Sequence, residues 1–246
     1  MKLSGFLSLA IGVVAWWVVA RHVGPLLLPT PMAVLRVMIL ERPRLLDATG
    51  HTALAALGGL VVASIFALAA AVAAWWSAPL RLALTPYTVL VQIVPIAAIA
   101  PLLVVWLGYG LAVAASTAAI ASFYPIYSAA VTGLAAPTQD LVDLFRLYGA
   151  RRHQELWRLR LPASLPSLFS GLRSAGGLAV IGAIVGEFVG SNGIPPTLGQ
   201  IVVYSARSAR LDLCFAAVGA AGLLALTSLT TIRFLERRAI GRWYGT

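Results

Sequence analysis

Lysine is almost missing from this 246-residue sequence, with Lys2 the only one. A glycine-rich phosphate loop of the G-x-x-x-x-G-K-[ST] kind needs a lysine to reach the phosphates, so no such nucleotide site can exist in this chain. Cysteine is equally scarce. Cys214 stands alone inside an apolar stretch, which excludes an internal disulfide framework and a cysteine-based metal cluster and leaves the reading of a small buried hydrophobe. The histidines His22, His51 and His153 are widely separated and form no H-E-x-x-H pair, and no Ser/His/Asp arrangement is visible. A membrane-embedded enzyme is therefore the weakest of the function classes. Charge is thin as well: Asp, Glu, Lys and Arg make up 11% of the chain, against about 25% in soluble domains.

Apolar residues fill the space these absences leave. They amount to 60% of the chain, with a mean hydropathy of +0.91, more apolar surface than a soluble fold could hide. A helix needs about 20 mostly apolar residues to cross a hydrocarbon core of about 30 Å. Six stretches qualify, at about 5–20, 53–76, 87–107, 111–135, 174–191 and 213–232. Backbone groups in lipid must be satisfied within the segment, and no stretch alternates with the period of two that a barrel requires. The expected fold is an all-α polytopic membrane protein of about six transmembrane helices. Residues 1–50 then hold the first helix and an external connector, 51–235 the main transmembrane domain, and 236–246 a cytoplasmic tail. Lys2 and the apolar run to Val18-Val19-Ala20 would also suit a cleaved leader, but the later spans make a retained first helix the simpler account.

The formal net charge is +10, which on one soluble face would suggest nucleic acid. Here the arginines fall in the gaps between apolar stretches and at the C-terminus, the distribution that sets membrane orientation. With the N-terminus inside, Lys2, Arg81, Arg146, Arg151, Arg152, Arg158, Arg160, Arg173, Arg233, Arg237, Arg238 and Arg242 are cytoplasmic, 12 of the 18 basic residues. Arg21, Arg36, Arg42, Arg44, Arg207 and Arg210 are external. The asymmetry predicts cytoplasmic N- and C-termini. In the external connector 29–50, Leu28-Pro29-Thr30-Pro31 is a non-helical entry, and a short interfacial helix is predicted over 32–41.

Pro95, Pro101 and Pro125 interrupt predicted spans, where they either bend the helix or free carbonyls for a water-filled path. Gly182, Gly186 and Gly190 recur every four residues and predict close packing against another helix, whose identity the spacing does not give. Glu187 is the one clear acid within a span. It lines a path or gate near the outer end of the fifth span, or else it is held at the interface by a backbone group, Arg207 or Arg210. A single acid is a slender basis for an ion-coupled secondary transporter or channel, the rival from another class.

The long polar interruption runs from Pro137 to Arg173. Thr138 is the predicted N-cap of a helix on which Leu141, Leu144, Phe145 and Tyr148 form one apolar stripe, and Gly149 ends it in a left-handed cap. A second helix over about 150–161 pairs Arg151 with Glu155, exposes Arg152 and Arg158, and carries Leu156, Trp157, Leu159 and Leu161. Pro162 is expected to stop it, and Pro166 to let the chain turn before the fifth span. The result is a compact cationic knob suited to a groove on a soluble partner. An interfacial helix pair lying on anionic lipid would have the same composition.

The run from Asp143 to Pro166 resembles the EAA loop of binding-protein-dependent ABC importer permeases. That pattern reads E-A-A, three residues, G, nine residues, I-x-L-P. Gly149 stands at the required interval before Leu159-x-Leu161-Pro162, Leu159 replaces Ile, and Asp143-Leu144-Phe145 occupies the place of Glu-Ala-Ala. Over about residues 50–240 the chain is most similar to the sulfonate, taurine, nitrate and pyrimidine-precursor branch, on Val94-Pro95, Ala100-Pro101-Leu102, Trp106-Leu107-Gly108, Ser170-Gly171-Leu172-Arg173 and Gly186 to Ser191 followed by Gly193. The resemblance implies a multi-pass subunit of the bacterial inner membrane that needs no cofactor of its own. It implies a homodimer with a second permease copy, two ATP-binding subunits that hydrolyse ATP, and a periplasmic or lipid-anchored solute-binding protein. The loop 138–166 would couple to the ATPase through Asp143, Gly149, Leu159, Leu161 and Pro162. The solute would be a small organic anion such as a sulfonate, taurine or nitrate, or a pyrimidine precursor.

Overall fold

The computed structural model describes residues 2–24, 27–193 and 196–244. The side chains of Lys2 and Arg242, both in the charge count, lie outside the described set. Every regular element among the described residues is helical. Helix α1 spans Lys2–Val23 and α2 spans Pro31–Leu40, the latter entered through Thr30, whose hydroxyl accepts from the Ala33 N–H at 3.3 Å. The predicted interfacial helix is this element. Helix α3 then runs for 35 residues, Arg42–Trp76, so the second span begins well before residue 53 and takes in the end of the predicted connector.

Four helices are long and apolar enough to cross a membrane alone: α3, α6 (Leu111–Leu134), the continuous helix Arg152–Gly190, and α11 (Leu211–Tyr244) over Leu211–Gly241. A fifth crossing is available if α4 (Ala78–Ile93) and α5 (Ile96–Leu107) act as one broken span, since they bend by 100° at their junction. The uninterrupted span expected over 87–107 is therefore corrected. Pro95 forces its predecessor out of the helical region, and Val94 sits at φ −66°, ψ 126°. Pro101 and Pro125 behave differently. Both lie inside unbroken helices, α5 and α6, where tertiary packing outweighs the lost hydrogen bond.

Helix α6 is the axis of the bundle. It packs against α3 on one side and against the helix Leu161–Gly190, here α9, on the other. The approach is close because the contacts are small residues: a Cβ placed on Gly59 of α3 would lie 2.5 Å from the Ala118 Cβ, and one on Gly182 of α9 2.8 Å from the Ala118 Cα. Packing at that distance takes the place of the hydrophobic drive that lipid removes. A smaller cluster at the far end joins α2, α3, α11 and a short helix α10 (Leu198–Arg207) through Val34, Leu45, Leu198, Ile201 and Leu213. No predicted element covers the residues of α10. Helix α1 is tied to this end by the Trp16 indole, which donates to the Pro29 carbonyl at 3.1 Å and stacks on Phe215.

Candidate functional site

The polar interruption folds into α7 (Gln139–Leu147), α8 (Arg152–Glu155) and a five-residue π-helical turn, Leu156–Arg160, that leads directly into α9. Thr138 occupies the N-cap of α7 with extended backbone, although its side chain makes no cap hydrogen bond. Gly149 has φ +72°. The N–H of Gly149 donates to the Arg146 carbonyl at 2.9 Å and that of Ala150 to Phe145 at 3.0 Å, the paired bonds of a Schellman turn. A side chain at Gly149 would meet nothing within 4 Å, so glycine is required by the backbone angle and not by space.

Two expectations for the second helix are overturned. Pro162 does not stop it, and Pro166 makes no turn: the helix continues unbroken from Arg152 to Gly190. The physical reason is the π turn. The Leu161 N–H bonds back to Leu156, five residues earlier, and this wider turn delivers Pro162 to the first turn of α9, where a missing N–H is tolerated. Glu155, expected to pair with Arg151, instead meets Arg160 at 2.7 Å in a largely buried bridge. Arg151 serves as N-cap, its N–H bonded to the Gln154 side chain at 2.8 Å.

Burial shows which way the knob faces. Only Val142 of α7 is buried, whereas Leu141 and Leu144 are half exposed and Tyr148 is 84% exposed. The apolar stripe thus points outward, beside a groove lined by Leu144, Phe145, Tyr148, Gly149 and Arg158. Asp143 lies at the surface, accepts from the Gln139 amide at 3.1 Å and pairs with Arg146 at 3.7 Å. Leu159, Leu161 and Pro162 are half-buried at the root of the knob. That root is fastened to the ends of two spans. Arg160 donates to the Leu134 carbonyl of α6 at 2.7 Å, and Arg152 donates to the Trp75 carbonyl of α3 at 3.2 Å.

At the opposite end of α9, Glu187 is 3% exposed. Its Oε2 accepts from the Gly199 N–H at 2.8 Å and the Thr52 hydroxyl at 3.1 Å, while the same hydroxyl accepts from the Leu198 N–H at 3.0 Å. One carboxylate therefore joins α3, α9 and the first turn of α10, an end where unpaired N–H groups favour an anion. Neither Arg207 nor Arg210 is its partner; Arg210 pairs with Glu41 at 3.4 Å. Oε1 is buried without a hydrogen-bond partner among the described residues. Glu187 also borders a cavity of about 280 Å³ with His51, Leu54, Leu111, Asn192 and Thr197.

The glycine stripe has a definite neighbour. Cβ atoms on Gly182, Gly186 and Gly190 would run into Ala118, into Ala114 and Thr117, and into Val113, all on α6. The stripe and the carboxylate thus lie along one helix, Arg152–Gly190, whose near end forms the root of the knob.

A helical membrane bundle with a cationic knob at one end and a broken span beside it has the form of a transporter's membrane subunit. Residues 59–243 match the family of binding-protein-dependent transport system inner membrane components, and the chain belongs to that family. It is 35% identical to a probable ABC transporter permease of Haemophilus influenzae over 77% of this chain and 76% of that one. It is 33% identical to the formylaminopyrimidine transport permease of Halalkalibacterium halodurans over 73% and 72%, and 29% identical to the taurine transport permease of Escherichia coli over 97% and 88%. The protein is thus an ABC importer permease of the branch that includes taurine, sulfonate and pyrimidine transporters, a multi-pass inner-membrane subunit and not an enzyme.

Proposed function

We propose that this permease forms a homodimer whose two copies enclose the path for a small solute, and that a separate ATP-binding subunit docks on each 138–166 knob. The observation that carries the reading is the outward apolar stripe. Leu141, Leu144 and Tyr148 stand free of the bundle on a helix fixed by the Gly149 turn, which is how a rigid plug for a groove is built. Asp143 sets the polar edge of the plug, and Leu159, Leu161 and Pro162 seat its root. In this reading the knob and both termini are cytoplasmic, and Glu187 borders the outer mouth of the path.

The dimer is supported by α4 and α5. Within one chain Thr88 is the one buried residue of α4, while Tyr87, Ile93, Leu102 and Trp106 are exposed. Bent helices whose carbonyls are freed near the bilayer interior belong where they line a cavity. The solute is a small anion of the sulfonate, taurine or nitrate kind, or a pyrimidine precursor, and the similarity to taurine and formylaminopyrimidine permeases supports the taurine and pyrimidine ends of that range. Selection among them rests chiefly with the binding protein.

Co-purification tests the docking. Leu144→Asp with Tyr148→Asp should leave the permease in the membrane at normal abundance and remove the ATP-binding subunit from it. Retention of that subunit at the wild-type ratio would overturn the reading.

A further inference from the structure

We propose that the recess between the knob and the end of α3 is a binding site for the phosphate of an anionic phospholipid. The recess, about 410 Å³, is lined by Arg146, Arg152 and Arg160 together with Trp75 and Glu155. Three guanidinium groups thus face one carboxylate. Glu155 is already engaged by Arg160 at 2.7 Å, which leaves an excess of positive charge on the wall. Asp143, beside Arg146 at 3.7 Å, is the other acid near the rim.

Two further observations fix the class of anion. The Arg152 guanidinium lies 5.1 Å from the Trp75 ring centroid and 5.3 Å from that of Trp76, and Arg160 lies 5.3 Å from Trp75. Stacked on indole faces, these cations are held in place ahead of any ligand. The same two tryptophans end the apolar helix α3, and paired indoles at a span end mark the level of lipid headgroups. A preorganised basic pocket at that depth suits a headgroup phosphate. A soluble anion gains nothing from the depth. The assignment to the cytoplasmic leaflet rests on the proposed orientation, whereas the site itself does not.

A bound headgroup would bridge Arg146 on α7 to Arg152 and Arg160 at the root. It would tie the knob to the plane of the bilayer on the side away from the Tyr148 groove. Neither Arg146 nor Arg152 belongs to that groove, so the two faces are separable by mutation.

The test uses the full-length permease exchanged into phosphatidylcholine and titrated with phosphatidylglycerol, with retained lipid counted by native mass spectrometry. Wild type should prefer phosphatidylglycerol by about tenfold, a difference of about 1.4 kcal/mol. Arg146→Gln with Arg152→Gln should abolish the preference. Arg237→Gln with Arg238→Gln, which removes the same charge elsewhere, should keep it. No preference in wild type, or equal loss in both pairs, would overturn the site. Saturable binding of inorganic phosphate alone would reassign it to a free anion. Loss of the ATP-binding subunit with lipid preference unchanged would reassign it to the protein partner. A melting curve for each variant separates these outcomes from misfolding.

Discussion

Glu187 of α9 and Gly199 of α10 are joined by a 2.8 Å hydrogen bond in which a buried carboxylate accepts from the first turn of a helix twelve residues later. Thr52 of α3 completes the junction from the other side. The bond explains why a lone acid is tolerated here without an arginine: backbone N–H groups supply the positive end.

The two oxygens of Glu187 have separate surroundings, so two substitutions separate their roles. Glu187→Gln keeps an acceptor for Gly199 and Thr52 and alters the unpartnered side. It should assemble normally and lower uptake, measured with the binding protein and ATPase present. Glu187→Ala strands the Gly199 N–H at a loss of about 1–3 kcal/mol. It should lower the melting temperature and speed hydrogen exchange in 198–207. Unchanged uptake by the Gln variant would confine Glu187 to holding α10.

Gly149 adopts φ +72° with open space around it. Gly149→Val therefore meets no clash but carries a left-handed conformation that is unfavourable by about 1–2 kcal/mol. The knob should re-form its turn in another geometry, with permease abundance near normal and both ATPase retention and uptake lost. Gly149→Asn, which accepts the angle more readily, should recover much of both. Wild-type uptake by the Val variant would exclude the loop as the coupling element.

Gly182 faces the α6 backbone, where the Ala118 Cα and the Thr117 carbonyl cannot move aside, whereas Gly186 faces both the Ala114 Cα and the Thr117 side chain. Gly182→Val should separate α6 from α9 at more than the 1–3 kcal/mol typical of overpacking. A thermal melt of the purified protein should show it as an early transition. Gly177, with nothing within 4 Å of its absent Cβ, is the control: Gly177→Ala should be neutral or slightly stabilising.

Orientation is read by labelling intact cells in a Cys214-free background. Cysteines at positions 152 and 237 should resist an impermeant reagent, and one at position 39 should react. Rapid labelling at 152 from outside would reverse the topology and remove the coupling role with it.

Much of this fold could be read from residue order alone, because the rules that produced it are local. Thr138 and Gly149 bound α7 where expected, the first by its extended backbone and the second by its left-handed angle, and the four-residue glycine spacing announced a close helix contact before its partner was known. What escaped depended on neighbours. Amphipathic spacing located the stripe on α7 but gave no sign that Val142, and not Leu144, is the residue the bundle covers. Pro95 breaks a span whereas Pro101 and Pro125 do not, a difference decided by what packs around each ring. Pro162 looked like a stop because a proline normally ends the helix before it; the π turn that admits it leaves no plain mark in Leu156–Arg160. Helix α10 lies in a stretch too short and too polar to read as a span, although Thr197 before Leu198 is an N-cap signal.

The continuity of the helix through Pro162 changes what a movement of the knob means. From Arg152 to Gly190 the 39 residues at a rise of about 1.5 Å each make a rod of about 58 Å. Its near end is the arginine-rich root and its far end is the Glu187 junction, so there is no slack between the place where an ATPase would push and the place where α10 is held. A pivot near the middle would turn a tilt of about 5° into opposite displacements of about 2.5 Å at the two ends. A hydrogen bond of 2.8 Å does not survive a shift of that size. The far junction would then open or close in step with the knob, as one end of a balanced beam answers the other.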